Sequence, residues 1–235
     1  MNKLDELLVG KEMKLSEDQL RTYISEIIPL VEEESKLKSN LKKYQIKFLR
    51  RKDIVSCQNK ELNHQFFVCG RYSHDIPSNP KFVFPSKFYG NEDLLKGVIA
   101  HEIVHNIQYN NFTYLLNFLF DDPSVSLGDS YSLNELDQRQ LASDLLIEGD
   151  ADLLSHDLSK KHFPDRKRSL SDEQLNNFLE ENGLKEEYLA KKYCYKAGEA
   201  ILREKFNGDR NLINPLYLLE PQELIDIFGL GGIKI

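Results

Sequence analysis

From Leu20 onward, Tyr23, Ile24, Ile27, Ile28 and Val31 recur at intervals of three and four, the spacing of one helical face. Ser16-Glu17-Asp18-Gln19 precedes that run and reads as a capping box for its first amides. A helix is predicted over 17–38. Pro29 is expected to kink it or divide it in two, because proline removes a donor and crowds the preceding turn. Tyr44–Leu49 then alternates as a strand does. Gln65–Cys69 and Lys81–Phe84 read as two more, separated by the turn-forming Asp75-Ile76-Pro77-Ser78-Asn79-Pro80. The expected sheet is small and largely antiparallel.

Beyond residue 90 the helical period returns. Asn91-Glu92-Asp93 supplies a cap and two acids for a helix start. The helix continues through Leu94, Leu95, Val98 and Ile99 to about Tyr109. A second helix is predicted around Phe112–Phe120, stopped at Asp121-Asp122-Pro123, with a loop over Val125–Ser132. Another opens at Asn134 or Asp137 and runs through Leu141, Leu145, Leu146 and Ile147 to about Leu154. Charged Leu158–Leu170, containing Pro164, is the expected hinge between lobes. Ser171-Asp172-Glu173-Gln174 should cap a short helix ended at Asn182-Gly183. Helices near 186–206 and 221–228 complete an α+β chain without internal repeats. Its two parts are expected at 1–109 (helix, sheet and second main helix) and 110–235 (mainly helical).

Composition narrows the class. With 235 residues and 40% apolar content the chain can bury a substantial core. A formal net charge of -7 argues against a nucleic-acid partner. Two basic runs, Lys42 to Lys52 and Lys160 to Arg168, adjoin acidic segments and read as solvated surface. No run approaches the roughly 18 apolar residues of a membrane span. Met1-Asn2-Lys3-Leu4-Asp5-Glu6 carries acids where a signal peptide would be apolar, and Met1 reads as the native start without a propeptide. Cys57, Cys69 and Cys194 leave one unpaired and lack CxxC spacing, as expected of reduced thiols in a cytoplasmic protein.

The chemistry-bearing pattern is His101-Glu102-Ile103-Val104-His105, followed by Glu148-Gly149-Asp150-Ala151-Asp152. Histidines four apart meet on one helical face and can share one Zn²⁺, while Glu102 can hold the water that such an ion activates. An HxxxH pair alone is more often two packed histidines. Here Glu102 lies in an apolar helix, where an unpaired carboxylate would be costly and a cation would relieve it. Glu148 on a second helix would be the third ligand, leaving one position open for water. Asp152, one turn on, is placed to accept from the outer nitrogen of His101 or His105. Gly149 and Ala151 are small where close helix approach is needed.

These residues resemble the gluzincin, thermolysin-like metallopeptidases, and with Gln108 the branch written HExxHxxQ…EGxA. The resemblance covers roughly 66–154. It implies a zincin-like fold and a Zn²⁺ cofactor. It also implies peptide or protein substrates, His101, His105 and Glu148 as ligands, Glu102 as general base, and Asp152 behind a ligand histidine. Tyr195-Lys196-Ala197-Gly198 resembles that branch's Tyr-x-x-Gly helix, which implies Tyr195, rather than Tyr193, as an oxyanion donor. The chain departs from thermolysin in a longer separation of His105 from Glu148 and in lacking an Asn-Ala-x-Trp edge strand. The Phe66–Tyr72 segment is the candidate edge strand, and His156 a second candidate near the site. Two other readings stand beside the hydrolase: a zincin-like protein used for binding or regulation, and a metal-free helical protein.

Overall fold

The computed structural model describes residues 13–49, 71–73, 80–85, 87–88, 90–112, 135–167, 171, 173, 176–177, 180 and 185–230. Among these the elements are β1 (Met13–Lys14), α1 (Glu17–Ser35), β2 (Gln45–Leu49), β3 (Arg71–Ser73), β4 (Lys81–Pro85) and β5 (Lys87–Phe88). They continue with α2 (Glu92–Asn111), α3 (Glu135–His162), α4 (Lys185–Phe206), α5 (Arg210–Ile213), a 3-10 turn (Asn214–Leu218) and α6 (Pro221–Phe228). Helix dominates. The expected strand at 65–69, the helix at 112–120 beyond Phe112, the loop at 125–132 and most of the Ser171 helix lie outside the described residues.

α1 is one continuous helix with Pro29 inside it, so of the kink or division expected there the division does not occur. Pro29 stands on the exposed side, where water can serve the carbonyl that proline leaves without a donor. The buried side, Leu20, Ile24, Ile27 and Val31, holds the axis together. The Ser16 hydroxyl accepts from Gln19 N at 3.2 Å, as expected, but the Gln19 amide donates to the Tyr23 hydroxyl at 3.0 Å.

The three-stranded sheet is mixed, in the order β2-β4-β3. β3 and β4 pair antiparallel, whereas β2 and β4 are parallel, a correction to the largely antiparallel expectation. The alternation of a strand does not encode its direction. The connection from residue 49 to 71 gives the chain room to cross over before it rejoins the sheet at β3, which then pairs antiparallel with β4. Among the described residues β3 is an edge strand, and it holds Arg71 and Tyr72 of the expected edge segment; residues 66–70 are outside the described residues. Phe82 and Phe84, two apart and thus on one face, are fully buried beneath α1 and α2.

α3 extends to His162, past the predicted end at Leu154. Leu158 continues the face begun by Ala151 and Leu154, and Lys160, Lys161 and His162 suit the negative end of the helix dipole. The charged run read as a hinge is therefore partly the last turn of a helix. The chain that follows is tied to the start of α2. Asn91 Oδ1 caps Leu94 N at 3.1 Å and accepts from Lys167 N at 2.9 Å, and Asp93 Oδ2 accepts from Asp165 N at 2.9 Å. With its C-terminal end held there, α3 runs back along α2 in the opposite direction.

Two apolar clusters share α3. Ala151, Leu154 and Leu158 join α1, the sheet and α2, while Ala142, Leu145, Leu146 and Leu153 join α4, α5, the 3-10 turn and α6. α4 crosses α3 at Gly149 and Gly198. A Cβ on Gly198 would stand 2.1 Å from the Leu145 carbonyl oxygen, and one on Gly149 would stand 2.4 Å from the Gly198 carbonyl carbon. Both obstacles are backbone, so a side chain at either position must push the helices apart. Gly198→Ala is expected to cost about 3 kcal/mol, through overpacking. For a chain of this size that lowers Tm by about 6–12 °C, readable by calorimetry. An unchanged Tm would contradict the close crossing.

Candidate metal centre

The antiparallel run of α2 and α3 decides which residues meet. His101 lies nine residues past the start of α2, and Asp152 ten before the end of α3; His105 and Glu148 lie thirteen and fourteen from the same ends. The tie at Asn91 and Lys167 thus puts each pair at matching height. His101 Nε2 and His105 Nε2 are 3.0 Å apart, and Glu148 Oε2 lies 3.3 Å from each. His101 Nδ1 lies 3.3 Å from Asp152 Oδ1. The three donors and the carboxylate behind His101 are therefore brought together as the sequence spacing anticipated.

Beyond the two imidazole nitrogens at 3.3 Å, the buried Glu148 Oε2 has no hydrogen-bond partner among the described residues. Behind the imidazoles, Asp152 accepts at His101 Nδ1, and Gln108 Oε1 lies 2.8 Å from His105 Nδ1. Both acceptors place the ring proton on Nδ1 and leave a lone pair on Nε2. Two nitrogen lone pairs and a carboxylate oxygen then face one another, an arrangement that repels itself without a cation or proton between them. Donors around a tetrahedral Zn²⁺ at about 2.0–2.1 Å stand about 3.3 Å from one another. The observed separations of 3.0 to 3.3 Å fit such an ion. Side-chain exposures of 15% for His101, 19% for His105 and 29% for Glu148 leave the group reachable from one side among the described residues.

In the metal-free protein a proton substitutes. Burial would lower the His101 pKa, but Asp152 and Glu148 outweigh it and raise the value well above the usual 6.5. His105 is raised as well, burial being outweighed by Glu148. For Glu148, burial opposes ionisation, yet His105 and His101 hold its pKa far below the ordinary carboxylate range.

Glu102 is buried on α2, 6% exposed. Tyr195 of α4 stands beside His101, ring centroids 5.7 Å apart and planes perpendicular, whereas Tyr193 is 61% exposed. The glycine crossing of α3 and α4 is what permits this approach. His156 has its Nδ1 at 2.7 Å from Glu199 Oε2. With Asp152 these form a second group whose ligand atoms lie within 4.8 Å of one another. Its members are already engaged: Asp152 by His101, and Glu199 by His156 and by Arg203 Nε at 2.9 Å. Arg203, also bonded to Asp157 at 2.7 Å, already sets a positive charge against Glu199.

In the sequence Gln108 stands out only as part of a family pattern. Its position three residues after His105, on the same helical face, was the available signal for contact with the imidazole. Asp150, Arg210 and Tyr217, which stand behind Gln108, carried no signal because two of them come from a segment sixty residues further on. Comparison with protein-family models, with curated proteins and with solved structures finds no match to this chain.

The raised histidine pKa values give the centre a signed pH dependence. The His101 interaction stabilises the metal-free fold fully below the ordinary imidazole value and is lost as pH rises through the raised one. A zinc ion held by these three donors would displace those protons and so bind more tightly at higher pH. Where one bound proton is displaced, affinity gains about tenfold per pH unit, and the zinc-induced rise in Tm should grow by about 4 °C per unit between about pH 6 and pH 8. A rise that shrinks over that window would contradict the protonated metal-free site.

Proposed function

We propose that the protein is a zinc-dependent hydrolase of peptide bonds, with a zincin-like arrangement of α2 and α3. The observation that carries this reading is the meeting of His101 Nε2, His105 Nε2 and the buried Glu148 Oε2 at 3.0 to 3.3 Å. Two imidazoles and one carboxylate suit Zn²⁺ better than Mg²⁺ or Ca²⁺, which favour oxygen donors throughout. A zinc ion held by these three would polarise a substrate carbonyl and lower the pKa of a water at its open position.

The remaining steps belong to side chains. Glu102, next to His101 and buried, takes the proton of the attacking water and returns it to the departing amine. Asp152 holds the His101 ring in the tautomer that presents Nε2 to the ion. Tyr195, whose ring stands beside that of His101, donates from its hydroxyl to the oxygen on which negative charge develops. The partly open donor set favours an accessible substrate over a sealed regulatory site.

Glu102→Gln preserves the shape of the site and removes the base. It should bind zinc at one equivalent and lose hydrolysis of a peptide-library substrate by about 10²- to 10⁴-fold. Full activity in that variant would overturn the role of Glu102. A wild-type chain that binds zinc and cleaves nothing in the library would favour the binding or regulatory reading. Tyr195→Phe should lower kcat by about 10²-fold while leaving KM and zinc content alone. An unaltered kcat would reduce Tyr195 to packing against His101.

A further inference from the structure

The two imidazoles are held differently. His101 faces a carboxylate, which can only accept. His105 faces Gln108, a side-chain amide with an accepting and a donating end. Turned over, that amide would present its NH₂ to His105 Nδ1, drive the ring proton to Nε2 and abolish the lone pair directed at Glu148. Something must fix which way Gln108 points.

The structure supplies it. Gln108 Nε2 lies 2.9 Å from the Ile147 carbonyl oxygen, 2.7 Å from the Tyr217 hydroxyl and 3.4 Å from Asp150 Oδ2. The Tyr217 hydroxyl donates to Asp150 Oδ2 at 2.6 Å, so its lone pair is what remains for Gln108. Asp150 in turn accepts from the Arg210 guanidinium, through Nη1 at Oδ1 and through Nη2 at Oδ2, the latter at 3.1 Å. Arg210 Nη2 also reaches Asn214 Oδ1 at 2.8 Å. Arginine only donates and ionised aspartate only accepts, so every bond in the row has one possible direction. A reversed Gln108 would set its oxygen against the Ile147 carbonyl and near the Asp150 carboxylate.

Burial keeps the row from rearranging. Gln108 and Tyr217 are 2% exposed, Asp150 1% and Arg210 6%, so water has little access to exchange for any partner. The Tyr217 ring is also clamped, stacked on Phe112 at the end of α2 with centroids 4.4 Å apart.

We infer that Arg210, Asp150, Tyr217 and Gln108 form a one-way hydrogen-bond relay that sets the tautomer of His105, so that seating of the α5 and 3-10 segment tunes metal affinity. The inference rests on reading His101, His105 and Glu148 as a metal centre. Gln108 and Tyr217 are positioning residues: they act on the ion through His105. The segment that carries Arg210 and Tyr217 thereby becomes part of the centre, although it contributes no ligand.

The test uses the full chain with Zn²⁺ and Co²⁺ as probes. Zinc affinity is measured by chelator competition well below the unfolding temperature, and the Co²⁺ visible bands report ligand geometry. Gln108→Leu should weaken zinc about 10- to 100-fold, and Tyr217→Phe about threefold to tenfold, both with shifted Co²⁺ bands. Tyr23→Phe removes another buried hydroxyl, one bonded to Gln19 and remote from the relay, and should change neither readout. Should Gln108→Leu not fold, Tyr217→Phe decides, since it keeps the stacked ring. Wild-type affinity and spectra in the relay variants would overturn the inference and leave the metal centre intact. Failure of the wild-type chain itself to bind zinc would overturn both.

Discussion

Two imidazole nitrogens and one carboxylate oxygen are held about 3 Å apart with their electron pairs turned inward. Alone, that arrangement is unfavourable, and the surrounding protein is built to impose it. Asp152 fixes one ring and Gln108 the other, so neither nitrogen can escape the conflict by moving its proton. Folding therefore leaves behind a local demand for positive charge, and the chemistry of the site follows from how that demand is met. In the metal-free chain a proton meets it; at higher pH only a metal ion can.

The packing explains how such a site can be held. α2 is buried on nearly every side, and α3 has one face in each apolar cluster, so neither helix can roll without disrupting a core. Sliding is blocked at one end by the bonds from Asn91 and Asp93 to 165–167, and at the other by the bond from Gln108 to the Ile147 carbonyl. Rotation and translation of the two helices that carry these donors are thus both constrained. The third helix, α4, approaches at a glycine pair and lays Tyr195 against His101.

Much of this was legible in the sequence because it is local. His101 and His105 four apart, and Glu148 and Asp152 four apart, each express a spacing rule that a helix obeys regardless of its neighbours. The extent of α3 was misjudged because Lys160, Lys161 and His162 look like a loop when read as charge, and like a helix end when read against the dipole. Strand direction in β2 and β4 was illegible, since alternation is the same in either sense. The relay behind His105 was illegible for a different reason: Asp150 meets Arg210 and Tyr217 only after the chain has folded back on itself. Local patterns give donors; the partners that orient them come from long-range packing.

The central claim is that these three side chains, and no thiolate, take one divalent ion. X-ray absorption at the zinc edge on the zinc-loaded full chain tests it most directly. The account predicts a first shell of nitrogen and oxygen only, at about 2.0–2.1 Å, with the outer-ring scattering of two imidazoles. A sulfur contribution at about 2.3 Å, as Cys194 would give, or a shell with fewer than two imidazoles, would contradict it.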